Sequence, residues 1–389
     1  MESIFNQIKE LYAKAEDAGK REIQGYIREL QVGFYSDWDV VMRLTSGCLK
    51  PLQLALAKIG IDLNIFTTLT QSDIPVTLSQ LTEQTGASAI WPRERDREVR
   101  IHRQRLHQGL FEPQCGGCYL PTVSLPLNDS RTAEANYFCS FDIPGPCTQA
   151  MPDFLAETKY QNITSNKQTV FQKAFDTDLT LFEWMPQHPK HMKSLGHLMA
   201  LERPVHWVDK YPVEERLGSL ATKPDEAVLV DVGGGFGQQA IAFKAKFPNL
   251  PGRVIVQDIP QTLAGARPVP GIEFVEHDFF GPQTVKGAKL YYLRHVLHDW
   301  PDKESLQILK NIIPAMGPDS CLIIDDVVLP EMGVPWQSAY MDLIMMNSLG
   351  GVERTKPEWE ALLSEAGLKI VEIHQYDSKM QSIIVTVPK

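Results

Sequence analysis

The residues able to do chemistry in this sequence gather where predicted strands end. The run Ala227–Gly237, AVLVDVGGGFG, passes from apolar, β-branched residues through Asp231 into Gly233, Gly235 and Gly237. That is how a buried parallel strand hands over to a tight turn and a helix start. Without a Cβ at those three positions the backbone can come close to a bound group. A glycine-rich turn is also an ordinary tight connection, so the acids that follow decide how it is read. A second strand, Arg253–Gln257, ends in Asp258, about twenty residues past the last glycine, where a carboxylate can accept both hydroxyls of a ribose. A third, Ile272–Glu276, leads to Asp278 and Phe279, an acid for an adenine amino group beside a ring that can cover its face. Gln238 stands where the dinucleotide fingerprint has its next glycine, and no basic cradle awaits a pyrophosphate. A nucleoside with a free sugar fits these acids better than NAD.

A fourth strand, Ala288–Leu293, leads through Arg294 into His295-Val296-Leu297-His298-Asp299-Trp300. His298 therefore falls just past a strand's C-terminal end, the side of an open α/β sheet where ligands gather. An imidazole with a pKa of about 6.5 is suited to taking a proton near neutral pH. A capping or surface histidine beside Asp299 is the plainer alternative, and the surrounding HDW motif weighs against it.

The segments DVGGGFG, VQDIP, EHDFF, LRHVLHDWPD and GGVERT, in that order, resemble the S-adenosylmethionine-dependent O-methyltransferases of the plant caffeate and flavonoid type and their fungal secondary-metabolism relatives. The resemblance is dense over the C-terminal half and loose before it. It implies an α/β fold, a Rossmann-like class I methyltransferase domain with a C-terminal antiparallel hairpin, preceded by a mainly α, winged-helix-like dimerisation domain. It implies S-adenosylmethionine on Asp231, Gly233, Gly235, Gly237, Asp258, Asp278, Phe279 and Arg294, with Arg294 standing where the family commonly has Lys. His298 is the general base that the family would use on a phenol or enol, with two acids flanking it. The matching acids are Asp326, where the plant enzymes usually carry Glu, and Glu353 in GGVERT; Asp325 is an alternative to Asp326. Glu353 also reads as an ordinary helix-start acid, and Gly350-Gly351 before it would let the backbone approach a ligand. Phe182, Trp184, Met199, Met345, Met346 and Asn347 are the expected acceptor-pocket residues, although Met and aromatic residues at helical spacing are more often core. His188 and His191 read as exposed and without a role. No ligand cluster for a metal stands out, and none is needed for transfer from a sulfonium.

The family also contains fungal proteins that bind S-adenosylmethionine and steer dehydration or pericyclic cyclisation of a polyketide-pyridone instead. His298 favours methylation over that alternative, though a histidine can also polarise a carbonyl.

The elements that must position these residues follow from the rest of the chain. Its 389 residues are 43% hydrophobic and 22% charged, ordinary for a globular enzyme of two or three domains. A net charge of −10 argues against nucleic acid or an anionic membrane as the main partner. No run approaches the roughly twenty apolar residues that span a bilayer, and MESIFNQIKE lacks the pattern of a secretory signal. Six cysteines without a disulfide framework fit a cytoplasmic protein. Cys115 and Cys118 form an isolated C-x-x-C with no second half-site.

Residues 1–45 read as an amphipathic helical arm, with Ile4, Ile8, Leu11 and Tyr12, then Ile23, Tyr26, Ile27 and Leu30, at helical spacing. The resemblance makes this arm interlock with a second subunit in a homodimer. Residues 46–150 would be the winged-helix-like unit, with helices at Pro51–Leu63 and Thr77–Thr85. Residues 151–220 would be helical and line the acceptor, and 221–389 would bind the cofactor and catalyse. A winged helix also serves DNA-binding regulators, but acids interrupt the arginines of Trp91–His107 and the chain is acidic. Residues 88–118, where the family places an apolar helix, read first as a solvated charged segment and second as an altered reading frame.

Overall fold

The computed structural model describes residues 2–16, 78–87, 142–199, 206–217, 223–332, 334–377 and 380–389, with a few isolated positions between 23 and 76. Pro51–Leu63 is described only at isolated positions, and the stretch 88–118, with Cys115 and Cys118, lies outside the described residues.

Helix α1 spans Glu2–Lys14 and α2 spans Leu78–Thr85, closed by Gly86 in the left-handed region. Next come α3 (Pro144–Glu157), α4 (Val170–Phe175), α5 (Leu181–Trp184) and α6 (Pro189–Met199). The first begins seven residues before the Met151 start read from the sequence, because Pro144 sits in its first turn, where a missing N–H costs nothing. Thr169 and Thr180 each close a capping box, with Gln172 and Glu183, and so fix where α4 and α5 begin. A short helix α7 (Val213–Leu217) leads toward the sheet.

The alternation β1 (Ala227–Val232), α8 (Gln238–Lys246), β2 (Arg253–Asp258), α9 (Pro260–Leu263), β3 (Ile272–Glu276), β4 (Leu290–Arg294), α10 (Asp302–Ile312) and β5 (Cys321–Leu329) builds a parallel sheet. Then come α11 (Trp336–Leu349), the two-residue β6 (Arg354–Thr355), α12 (Lys356–Ala366), β7 (Leu368–Gln375) and β8 (Gln381–Pro388). Strand order is β3-β2-β1-β4-β5-β8-β7, with β6 pairing β5 off this path. The last strand slots antiparallel between β5 and β7, as the sequence's closing hairpin requires. This is the class I methyltransferase sheet.

Every residue of β1 is buried, because both faces of the sheet are covered. On one face Val230, Leu293 and Ile324 pack under Ile308, Leu309 and Trp359 of α10 and α12. On the other, Leu229, Tyr292 and Ile323 meet Phe243 of α8 and Trp207, whose ring stacks on Tyr292 at 4.6 Å. A third core joins α3, α4 and α5 to α11 through Met151, Leu155, Phe171, Met185 and Tyr340. That core ties the helical region to the element carrying Met345, Met346 and Asn347. Among the described residues no helix is long and apolar enough to cross a membrane.

Candidate active site

Three crossover turns meet at the carboxyl ends of β1, β4 and β5. After β1 the glycine loop folds back onto β2, with the Gly233 and Gly234 amides donating to Gln257 O at 2.8 and 3.1 Å. Gly237 adopts φ +82 as the N-cap of α8, and a Cβ there would press at 3.2 Å on both Phe274 and Val256. Its role in this structure is helix-to-sheet packing. Beneath the loop Asp231 is 1% exposed; burial pushes its carboxyl up to about 7, against the pull of Arg294. Its Oδ2 accepts no hydrogen bond, and a buried acceptor left in that state calls for a donor from outside. Asp258 Oδ2 accepts from the Gly235 amide and Oδ1 from the Ile259 amide, both at 2.8 Å. An ionised carboxylate keeps further lone pairs for a ribose. Asp278 is exposed and receives the Phe280 amide at 2.9 Å, while Phe279 beside it is half-buried. An orphaned carboxylate oxygen, two further acids at strand ends and an aromatic face fit the aminoacyl, ribose and adenine parts of S-adenosylmethionine.

Arg294 is tied into the sheet by an ion pair. Its guanidinium is nearly buried and pairs with Asp325 at 3.3 Å. Asp325 also accepts from Tyr292 at 2.5 Å and from Tyr376 and Gln381 at 2.8 Å each. Successive strand residues face opposite sides of the sheet, so Asp325 serves this polar hub and Asp326 faces the histidines. Asp325 is therefore no substitute for Asp326.

A 3₁₀ turn, Leu297–Asp299, carries His298, which is 6% exposed. Its Nδ1 lies 2.7 Å from Glu353 Oε1, and its Nε2 lies 3.4 Å from Asp299 Oδ1. Burial pulls the imidazole pKa down, but Glu353, Asp299 and Asp326 outweigh it and hold it above the usual histidine range. Burial pushes Asp299 up to about 6 and Asp326 up to about 8, with His298 opposing both. Asp326 is not hydrogen-bonded to His298; it lies 3.5 Å from Nδ1 of His295. One atom from each of His295, His298 and Asp326 falls within 4.8 Å of the others, a spacing at which three groups can share one small guest. The sequence offered no such cluster, since the three residues come from two separate strand ends.

The glycines before Glu353 act differently from the sequence reading. Gly350 adopts φ +69 as the C-cap of α11. A Cβ on Gly351 would overlap the His298 carbonyl oxygen and fall 2.8 Å from the Asp299 carbonyl carbon. The close approach is thus between two protein segments, and the Val352 amide seals it by donating to His298 O at 2.9 Å. Arg354, absent from the sequence's candidates, holds the same junction. Its buried guanidinium donates to Leu297 O at 3.0 Å, Trp300 O at 3.1 Å and Asp302 at 2.8 Å, and it lies over the Trp359 ring. The signal for it was the Arg of GGVERT.

The expected acceptor residues divide. Phe182 stacks on Trp300 at 5.5 Å, and Trp300 meets Phe279 at 6.1 Å and Phe280 at 4.8 Å. Trp300, also missed, therefore links Phe182 to Phe279. Trp184 instead lies in the helical core, against Phe171, Phe175 and His188. His188 and His191 are half-buried, not exposed: His188 stacks on Trp184 at 3.5 Å, and His191 faces Asp142 at 3.4 Å. Met345 and Met346 are half-buried on α11. Asn347 is fully buried, its Nδ2 3.3 Å from Met151 Sδ and its Oδ1 without a hydrogen bond. Met199 ends α6, and its side chain lies outside the described residues.

Comparison with known proteins shows the family. The family model described as an O-methyltransferase domain matches residues 160–369. Demethylsterigmatocystin 6-O-methyltransferase of Aspergillus parasiticus is 60% identical, over 100% of this chain and 98% of the relative. Two solved structures, described as "A Pericyclic Reaction enzyme" and as LepI in complex with SAM, are each 34% identical and cover 100% of this chain and 98% of theirs. Their TM-scores are 0.68 and 0.67. The chain therefore belongs to the S-adenosylmethionine-dependent O-methyltransferase family.

Proposed function

We propose that this protein transfers a methyl group from S-adenosylmethionine to a phenolic or enolic hydroxyl of an aromatic, polyketide-derived metabolite, with His298 as general base. The observation that carries the reading is the buried His298–Glu353 pair at 2.7 Å. Glu353 fixes the ring through Nδ1, and in the unprotonated ring Nε2, 3.4 Å from Asp299 Oδ1, would take the acceptor's proton. The 60% identity to an enzyme named for methylating demethylsterigmatocystin supports the substrate class.

Bound S-adenosylmethionine would supply an electrophilic methyl group. Asp231, Asp258, Asp278 and Phe279 would hold it, with Gly233 and Gly235 keeping the loop clear of side chains. Trp300 and Phe182, with Met345 and Met346, would form the apolar wall that orients the acceptor and excludes water, so that proximity supplies much of the acceleration. Asn347 and Trp184 would shape that wall from behind. Asp326 would act beside His298 as a second carboxylate.

The N-terminal residues 1–45 and 46–150 would form the dimerising arm and winged-helix-like unit of a cytoplasmic homodimer. Ile4 and Leu11 of α1, 61% and 62% exposed in the single chain, support a partner for that arm. Residues 151–220 would line the acceptor and 221–389 would bind the cofactor.

Incubation with methyl-labelled S-adenosylmethionine and a panel of phenols, enols and pyridone polyketides tests the reading. Label in the product, with S-adenosylhomocysteine released, is expected. The similarity to a pericyclic enzyme defines the opposing result, an isomerised or dehydrated substrate with S-adenosylmethionine intact.

A further inference from the structure

Two imidazoles and a carboxylate converge where β4 and β5 end. Among the described residues, His295, His298 and Asp326 are the group of histidine, cysteine and acidic side chains that brings three candidate ligand atoms within 4.8 Å of one another. Ligands about 2.0–2.1 Å from a tetrahedral ion stand about 3.3–3.4 Å apart. His295 Nδ1 and Asp326 Oδ1, at 3.5 Å, are close to that spacing already. The other edges need to close by no more than about 1.4 Å.

Asp326 is fully buried, and neither of its oxygens accepts a hydrogen bond. A buried carboxylate in that state calls for a cation or a donor from outside. The surrounding charges point the same way. Arg294 is committed to Asp325 at 3.3 Å, whereas Glu353, Asp299 and Asp326 all bear on the one ring of His298. Three carboxylates around one imidazolium leave net negative charge in a buried site, which a divalent ion offsets. The His295 and Asp299 side chains, 22% and 16% exposed, give such an ion a way in.

We propose that His295, His298 and Asp326 bind a borderline divalent ion of the Zn²⁺ class, and that the bound ion silences the base. Two imidazoles and a carboxylate suit Zn²⁺, Co²⁺ or Fe²⁺, whereas Mg²⁺ and Ca²⁺ take oxygen sites. Binding sends the His298 proton to solvent and forms a metal–nitrogen bond in its place. Ligation through Nε2 uses the lone pair that would take the acceptor's proton, with Glu353 on Nδ1 as an outer carboxylate. Ligation through Nδ1 displaces Glu353 and the orientation it gives. Either way His298 no longer serves as base. The metal site stands on geometry alone; its inhibitory effect rests on the methyltransferase reading, and the two are tested apart.

Full-length protein, first dialysed against EDTA, would be titrated with Co²⁺ by visible absorption and with Zn²⁺ by calorimetry. One equivalent should bind, with the d–d spectrum of a tetrahedral nitrogen–oxygen site. The absence of a thiolate charge-transfer band separates it from binding at Cys115 and Cys118, and Mg²⁺ should not compete. His295→Asn, whose side chain tolerates the left-handed backbone of φ +49, and Asp326→Asn should each weaken binding tenfold or more. His374→Gln, which breaks a histidine–carboxylate pair elsewhere, on β7, should leave it unchanged. Unaltered affinity for S-adenosylhomocysteine reports that the variants are folded. In the label-transfer assay Zn²⁺ should inhibit over the concentrations at which it binds, EDTA should restore turnover, and His295→Asn should need at least tenfold more Zn²⁺. No stoichiometric binding, or binding that both Asn variants leave intact, would overturn the site. Binding at these residues with turnover undiminished would overturn the inhibition. Binding weakened in both variants of a protein that labels no acceptor would sink the methyltransferase reading and leave the metal site standing.

Discussion

His298 and Glu353 lie fifty-five residues apart in the chain, yet Nδ1 and Oε1 are 2.7 Å apart in a site from which water is almost excluded. The pair exists because two loops are pressed together at Gly351 and tied by Arg354. Its consequences can be measured one substitution at a time.

His298→Ala should leave S-adenosylmethionine affinity unchanged, since the cofactor's expected contacts are at other residues. Turnover should fall by about 10²–10⁴-fold, the usual contribution of a positioned base. Calorimetry beside a label-transfer assay separates the two; a comparable loss of cofactor affinity would remove His298 from the role of base.

Glu353→Gln should move the acid limb of the kcat–pH profile to lower pH. Burial already pulls the His298 pKa down, and Glu353 is first among the charges that hold it up. Without that charge the unprotonated ring persists to lower pH, while kcat falls because the ring loses its orienting carboxylate. An acid limb that stays in place would mean that Glu353 does not govern the base.

Gly351→Ala should cost about 1–3 kcal/mol of stability, the usual range for overpacking, and most of the activity. The added methyl group would overlap His298 O and force the two loops apart. Denaturant melts and kcat in the same preparation would show it. Gly235→Ala is the contrasting case, since its Cβ would meet nothing closer than Gln238 Oε1 at 4.0 Å, although its φ of +60 still carries strain.

Arg354→Met should destabilise by about 1–3 kcal/mol for each buried carbonyl that loses its donor, chiefly Leu297 O and Trp300 O. The ion pair itself contributes less, because Asp302 is 73% exposed. Weaker His298–Glu353 coupling should appear as a lower kcat with cofactor affinity retained.

Dialysis against EDTA should leave methyl transfer unchanged, because a sulfonium methyl and a histidine base require no Lewis acid. A loss of activity restored by a divalent ion would show that the His295, His298 and Asp326 cluster works with a metal.

Much of the architecture was legible in the order of residues. Apolar runs ending in Asp231, Asp258 and Arg294 mark β1, β2 and β4, since a sheet covered on both faces demands continuous burial. Glycines and acids at those ends announce a nucleoside site, and HDW and GGVERT give the two halves of the candidate base. These signals are local: each is a strand or turn that names itself within a few residues.

Which local pieces touch was decided only by the tertiary structure. Whether Asp325 or Asp326 faces the histidines depends on strand parity within the folded sheet. Asp326 lies 3.5 Å from Nδ1 of His295, a meeting of two strand ends that nothing in the spacing reveals. Trp184 belongs to the helical core, and Trp300 to the link between Phe182 and Phe279, although both are aromatic residues in motif-rich stretches. Gly351 is required by the His298 carbonyl, a contact across more than fifty residues. Composition and period record what each segment can bury, whereas the choice of partner belongs to the packed whole, where a single methyl group decides whether two loops can meet.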